Sequence, residues 1–296
     1  ANGRILRDGR FDRIWVQPAA GDAGGALGAA LAVHHLFLSA VRAVPKGGDS
    51  MQGSFLGPEF TQDQIEERLW AAGAAFEVLD DATLFTRCAA DIAQSKAVGW
   101  CQGRAEFGPR SLGNRSILAD PRSQAMQSQL NLKVKYRESF RPFAPAVLEE
   151  DQADWFAMDS DSPYMLMVAQ VAASQRLPAE ANAPSTEGFG RLNLRRSTIP
   201  AVTHVDGSAR LQSVRSATNP RFHRLIEEFK RLTGCPLVVN TSFNVRGEPP
   251  VLTPEDAFRC FMGTDVDVLA IGNCYLAKAR QAPTLREHGG AVFEAD

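Results

Sequence analysis

Between Arg104 and Arg141 the sequence sets eight lysines and arginines against three acidic residues, Glu106, Asp120 and Glu138. The whole chain carries a formal net charge of -2, so this one window is strongly positive and the remainder is acidic. Much of the window is written in Gly and Pro, as in Gly103-Arg104-Ala105-Glu106-Phe107-Gly108-Pro109-Arg110-Ser111-Leu112-Gly113-Asn114-Arg115-Ser116. Such residues interrupt helices and strands, so the spacing predicts arginines held on shaped loops. Lys135 and Arg141 follow, the latter beside Pro142. Guanidinium forks bind phosphate or carboxylate bidentately, and a lysine ammonium adds a compact charge. The pattern predicts an anion site. A solvated basic face would instead interleave its cations with acids along a helix.

Two further stretches could add to that chemistry. Asn240-Thr241-Ser242-Phe243-Asn244-Val245-Arg246-Gly247 follows Pro236-Leu237-Val238-Val239, which reads as a buried strand. Ligands of α/β proteins collect at the carboxyl ends of such strands, where amides and hydroxyls can hold phosphate and carbonyl oxygens. A plain polar turn is the other reading. Upstream, Gly21-Asp22-Ala23-Gly24-Gly25-Ala26-Leu27-Gly28 opens an apolar helix. Its bare backbone could approach a phosphate, Asp22 could bind a metal, or the small residues could simply make a tight turn. Thr203 to Arg210 supplies another arginine, Arg210, with His204 read as structural.

Elements must bring these stretches together. A short strand is expected over residues 11–17 and an apolar helix over 23–40. Residues 45–58 turn to Gly, Pro and polar types, the composition of a linker. Beyond them, Thr61 with Gln64 forms a capping box for a helix, and a second helix is expected from Asp81 to Lys96. Asn219-Pro220 and Gly234 bracket a third, and Thr253-Pro254 starts a fourth. Apolar strands are expected over 97–102, 164–171, 236–240 and 266–271, and a helix over 122–134. Residues 174–198 read as an irregular loop. The alternation gives an α/β class.

Bulk properties narrow the partners. The chain has 296 residues, 44% of them hydrophobic, enough for one large core or two modest ones. Its near-neutral charge argues against coating nucleic acid. Lack of an 18-residue apolar run argues against a membrane span. None of the five cysteines forms a Cys-x-x-Cys pair, and most lie in apolar stretches, so buried reduced thiols and a cytoplasmic location are expected. The chain opens inside an element, as a piece of a longer protein would.

Taken together and in order, the quoted stretches resemble the O-carbamoyltransferases of nodulation-factor and antibiotic biosynthesis, the NodU/CmcH type. Val16 to Gly25, Gly53 to Pro58, Gly103 to Ser116, Phe140 to Pro145 and Asn240 to Gly247 carry the resemblance. It implies two modules. Residues 1–45 would be the end of an actin-like transfer domain, 46–58 a linker, and 59–296 a YrdC-like twisted mixed sheet with flanking helices. It implies that carbamoyl phosphate and ATP, with Mg2+, are joined into carbamoyl-adenylate. The carbamoyl group would then pass to the hydroxyl of a sugar or other natural product. By the same resemblance Lys135, Arg141 and Ser242 are the catalytic candidates. Arg104, Arg110, Arg115, Arg210, Asn240 and Asn244 line the substrate and nucleotide, with Asn240, Ser242 and Asn244 matching the Ser-x-Asn feature. Asp22 matches one ligand of an Fe2+ ion whose histidine ligands lie outside this chain, so the transfer domain of the same protein is an expected partner. A threonylcarbamoyl-adenylate synthase and, from another class, a non-catalytic RNA-binding module are the competing readings.

Overall fold

The computed structural model describes residues 2–12, 14–43, 49–178 and 194–286. Its strands are β1 (Glu77–Val78), β2 (Val98–Cys101), β3 (Arg115–Ala119), β4 (Ala144–Leu148), β5 (Phe156–Ala157), β6 (Met167–Val171), β7 (Ser208–Val214), β8 (Leu237–Ser242), β9 (Val268–Ile271) and β10 (Cys274–Ala277). They form one ten-stranded mixed sheet in the order β1-β10-β9-β2-β3-β8-β4-β7-β6-β5. The helices are α1 (Asn2–Arg7), α2 (Asp22–Ala32), α3 (Gln62–Ala71), α4 (Asp81–Ala93), α5 (Met126–Lys133), α6 (Gln152–Trp155), α7 (Pro220–Thr233) and α8 (Pro254–Met262). The mixed α/β class read from the sequence is the class observed.

Strand β8 occupies the middle of the sheet because it is apolar on both faces. Leu237, Val238 and Val239 are fully buried, between antiparallel β3 and β4. That forces its polar end, Asn240 to Ser242, to emerge beside the loops that lead into β3 and β4. Helix α7 shows how the flanking layer is built. Asn219 caps it by accepting from the Phe222 N–H, and Gly234 ends it with a left-handed φ of 74°. Phe222, Leu225, Ile226 and Phe229 recur at helical spacing and are fully buried. Each such side chain contributes about 1.5–3 kcal/mol by leaving water. The expected capping box at Thr61 is present, and Thr253, expected to start a helix, makes one as well.

Some expected elements take another form. Among the described residues of 11–17 there is no strand; Ile14 and Val16 pack against the main core without pairing with a strand. The long apolar helix is α2, continued by a single π-helical stretch over Val33–Phe37. The loop expected over 174–198 lies largely outside the described residues. The stretch from Asp49 to Pro58 is packed rather than free, with Met51 and Ser54 buried. All five cysteines are buried free thiols. Among the described residues no helix is long and apolar enough to cross a membrane.

Candidate active site

Arg110 and Arg210 meet where the Gly103–Asn114 loop passes over β7. Each has a buried Nε–H with no hydrogen-bond partner. Burial and, after it, the positive charge of Arg110 push the guanidinium of Arg210 down to about 10. Two half-buried like charges with unmade Nε–H bonds call for an anion between them. The loop is fixed from within by Glu106. Its Oε1 accepts the N–H groups of Leu112 (2.6 Å), Asn114 (2.8 Å) and Arg115 (3.3 Å). Burial raises the Glu106 carboxyl, and the bonds from Asn114 and Leu112 hold it back. Gly113 sits at φ 107°, where an added Cβ would come within 2.1 Å of the Phe222 ring. Only glycine lets the loop lie this close to α7.

Asn240 ties β8 to the same loop. Its Nδ2 donates to the Ser111 carbonyl (3.1 Å) and to Oε1 of Gln212 (2.7 Å), while its own Oδ1 is buried with no partner. Arg210 and Gln212 lie two apart on β7, as Asn240 and Ser242 do on β8, so all four share one face of the sheet. Six buried side-chain atoms among the described residues lack a partner, and three of them belong to Arg110, Arg210 and Asn240. The others are on Trp100, Arg115 and Ser160, and the grouping at Arg110, Arg210 and Asn240 makes that face the candidate ligand site.

Lys135 extends the site along β8. It sits just past α5, and its side chain is 5% exposed. Its Nζ donates to the backbone carbonyl and hydroxyl of Ser242 and to the carbonyl (3.0 Å) and Oδ1 (2.7 Å) of Asn244. Ser242 in turn donates its hydroxyl to Asn244 Oδ1 at 2.6 Å. Burial pushes the Lys135 ammonium down to about 7, with Arg137 adding a smaller push the same way.

The other predicted residues fall elsewhere. Arg141 is exposed at the rim and paired with Glu138 at 3.3 Å, near Arg137 and Arg246. Arg104 points away, donating to the Gly57 carbonyl and lying 3.8 Å from Glu59. Arg115 opens β3 instead of lying in a loop. It is buried, its Nη1 donating to the carbonyls of Gln102, Gly103 and Asn114 while its Nε is left without a partner. Both thus shape the loop rather than face Arg110 and Arg210. Asp22 is exposed in the first turn of α2. Among the described residues only Glu150, His223 and Glu227 group as three possible ligands, and Asp22 is not among them. His204 is structural as read, bonded to Ser208 and lowered by burial. Sequence reasoning passed over Glu106 and Gln212. The first could have been found as the lone acid inside a basic Gly/Pro loop. The second carries no signal, being one neutral amide in a strand.

Family models for the carbamoyltransferase C-terminus and N-terminus match residues 89–278 and 1–31 respectively. The chain belongs to the carbamoyltransferase family. An uncharacterized Synechocystis protein is 55% identical over 95% of this chain and 46% of its own length. The nodulation protein NolO of Bradyrhizobium diazoefficiens is 40% identical over 95% of the chain and 47% of that protein. The 3'-hydroxymethylcephem-O-carbamoyltransferase of Streptomyces clavuligerus is 32% identical over 93% and 46%. The chain thus spans less than half the length of these relatives. The basic loop and the Asn240–Asn244 segment lie inside the matched C-terminal region.

Proposed function

We propose that this carbamoyltransferase chain joins carbamoyl phosphate and ATP into carbamoyl-adenylate at the face shared by Arg110, Arg210, Asn240, Ser242 and Lys135. The observation that carries the reading is the pair of buried, unpartnered guanidinium Nε–H groups of Arg110 and Arg210. Water releases phosphate from carbamoyl phosphate. The carbamate oxygen left behind attacks the α-phosphorus of ATP, and pyrophosphate departs. No side chain need form a covalent bond. The chain's part is to gather anions that repel one another and to offset charge as it develops. Arg110 and Arg210 hold one phosphate group, and Lys135 holds oxygens beside Ser242. Arg141 at the rim meets the nucleotide phosphates, which bring Mg2+ with them.

In this reading residues 59–296 form the YrdC-like adenylate-forming module, and residues 1–45 the end of an actin-like transfer domain. The carbamoyl group goes on to a hydroxyl of a sugar or natural product, as the name of the Streptomyces relative indicates for that enzyme. Fe2+ and its remaining ligands belong to the transfer domain of the longer protein, and no step of this chain runs through it.

The test is pyrophosphate release from ATP. Carbamoyl phosphate should support it. Threonine with bicarbonate, the substrates of the related tRNA-modifying synthases, should not. Arg110→Ala and Lys135→Ala should each lower it by two orders of magnitude or more, with circular dichroism unchanged. Near-normal release by both variants refutes the assignment.

A further inference from the structure

Asn240 faces the site with an acceptor, not a donor, and the hydrogen bonds behind it show why. An amide can present either end, and its orientation follows from its partners. The chain of bonds begins at the Leu112 carbonyl, a backbone group that can only accept. Gln212 therefore turns its Nε2 toward Leu112 O, at 2.8 Å. That leaves Gln212 Oε1 to accept from Asn240 Nδ2 at 2.7 Å. The Ser111 carbonyl, also accept-only, takes a second N–H of the same Nδ2 at 3.1 Å. Both donors of Asn240 are consumed, and its Oδ1 is left buried without a partner. Asn240 is 1% exposed and Gln212 is 3% exposed, so water does not compete for either amide.

A ligand completing this face must satisfy opposite demands. Arg110 and Arg210 ask for anionic oxygens, while Asn240 Oδ1 asks for an N–H or O–H donor. We infer that Gln212 is a positioning residue that locks the Asn240 amide so that Oδ1 reads the NH2 group of the carbamoyl substrate. This rests on the proposed function and adds the basis of its specificity. Carbamoyl phosphate carries an amide donor next to its phosphate. Acetyl phosphate has the same anion and almost the same shape, with a methyl group in place of the NH2. Bound there, the methyl leaves a buried acceptor unsatisfied, and sites built around a substrate donor reject such analogues strongly.

The experiment compares these two compounds on the 296-residue chain, first by thermal shift and then by pyrophosphate release from ATP. The wild type should be stabilised by carbamoyl phosphate at concentrations on the order of 100-fold below those needed for acetyl phosphate. Gln212→Met removes the lock without touching Asn240. It should cut that preference about tenfold or more, since the freed amide can rotate. Asn240→Leu should abolish the preference. A preference retained in Gln212→Met overturns the inference. So does equal stabilisation of the wild type by both compounds, a result that needs no variant to fold and leaves the anion site itself standing. If neither compound binds while the chain is folded, the proposed function fails and takes the inference with it.

Discussion

Burial removes the Lys135 ammonium from water and lowers its pKa from the ordinary 10.5 to about 7. An arriving phosphate favours the charged form and raises that value again. Pyrophosphate release measured as kcat/KM, which reports the free protein, should therefore fall as pH rises through about 7. The matching limb in kcat should lie at higher pH. Lys135→Arg keeps its charge throughout, so the limb should vanish from its kcat/KM profile even if the rate is low. Stability follows with the opposite sense. The folded pKa lies below the unfolded one, so from about pH 7 to 10.5 the unfolded chain binds more protons, and this group's contribution to stability rises with pH. Urea midpoints of the wild type relative to Lys135→Met should climb across that window. At this scale the sequence was informative where residue types were unusual for their setting. Arginines in a Gly/Pro loop and a polar end on a buried strand were visible. It did not separate Arg110 from Arg115, because nothing local says which guanidinium its own carbonyls will consume.

Between elements, the anion loop is held by contacts that no short window of sequence contains. Glu106 gathers the N–H groups of three residues up to nine positions away. Asn219, at the start of α7, donates to Asn114 Oδ1 at 2.8 Å, far along the chain. Gly113 is the close approach between loop and helix, and Gly113→Ala tests it. Its Cβ would meet Phe222 inside contact distance at a positive φ. Overpacking of this kind costs about 1–3 kcal/mol. Urea denaturation should show that loss, and pyrophosphate release should fall further than the stability loss explains, because Arg110 moves with the loop. Helices with caps were legible because the signal is local, as at Thr61, Asn219 and Thr253. Strands β3 and β7 were not read from the sequence. Each carries polar or charged residues in its span, and pairing on both sides, β3 with β2 and β8 and β7 with β4 and β6, makes them strands. The apolar run at 11–17 packs against the core among its described residues without joining the sheet.

Across the whole molecule, the N-terminal segment and the anion loop are parts of one mechanical path. Asp49 is its staple, accepting from Trp15 Nε1 at 2.9 Å, from the Tyr164 hydroxyl at 2.7 Å and from the Met51 N–H at 2.8 Å. From there the chain pairs directly with the loop. Ser54 donates its hydroxyl to the Phe107 carbonyl, Gly57 N–H donates to Ala105, and Ala105 N–H donates to Pro58. On the other side Gly108, at φ 129°, lies against Pro18 and Ala19, where even a Cβ would come within 3.2 Å of the Pro18 carbonyl. The segment leading to Asp22 therefore backs the loop that carries Arg110. Asp49→Ala should release Trp15 and Tyr164 together and cost about 1–2 kcal/mol. Hydrogen exchange should quicken over residues 14–24 and, through the shared contacts, over 105–113. Stabilisation of the chain by inorganic pyrophosphate should weaken although no residue touching the anion has changed. Faster exchange confined to residues 14–24, with pyrophosphate binding intact, would show that the two segments move independently and that the packing at Gly108 transmits nothing.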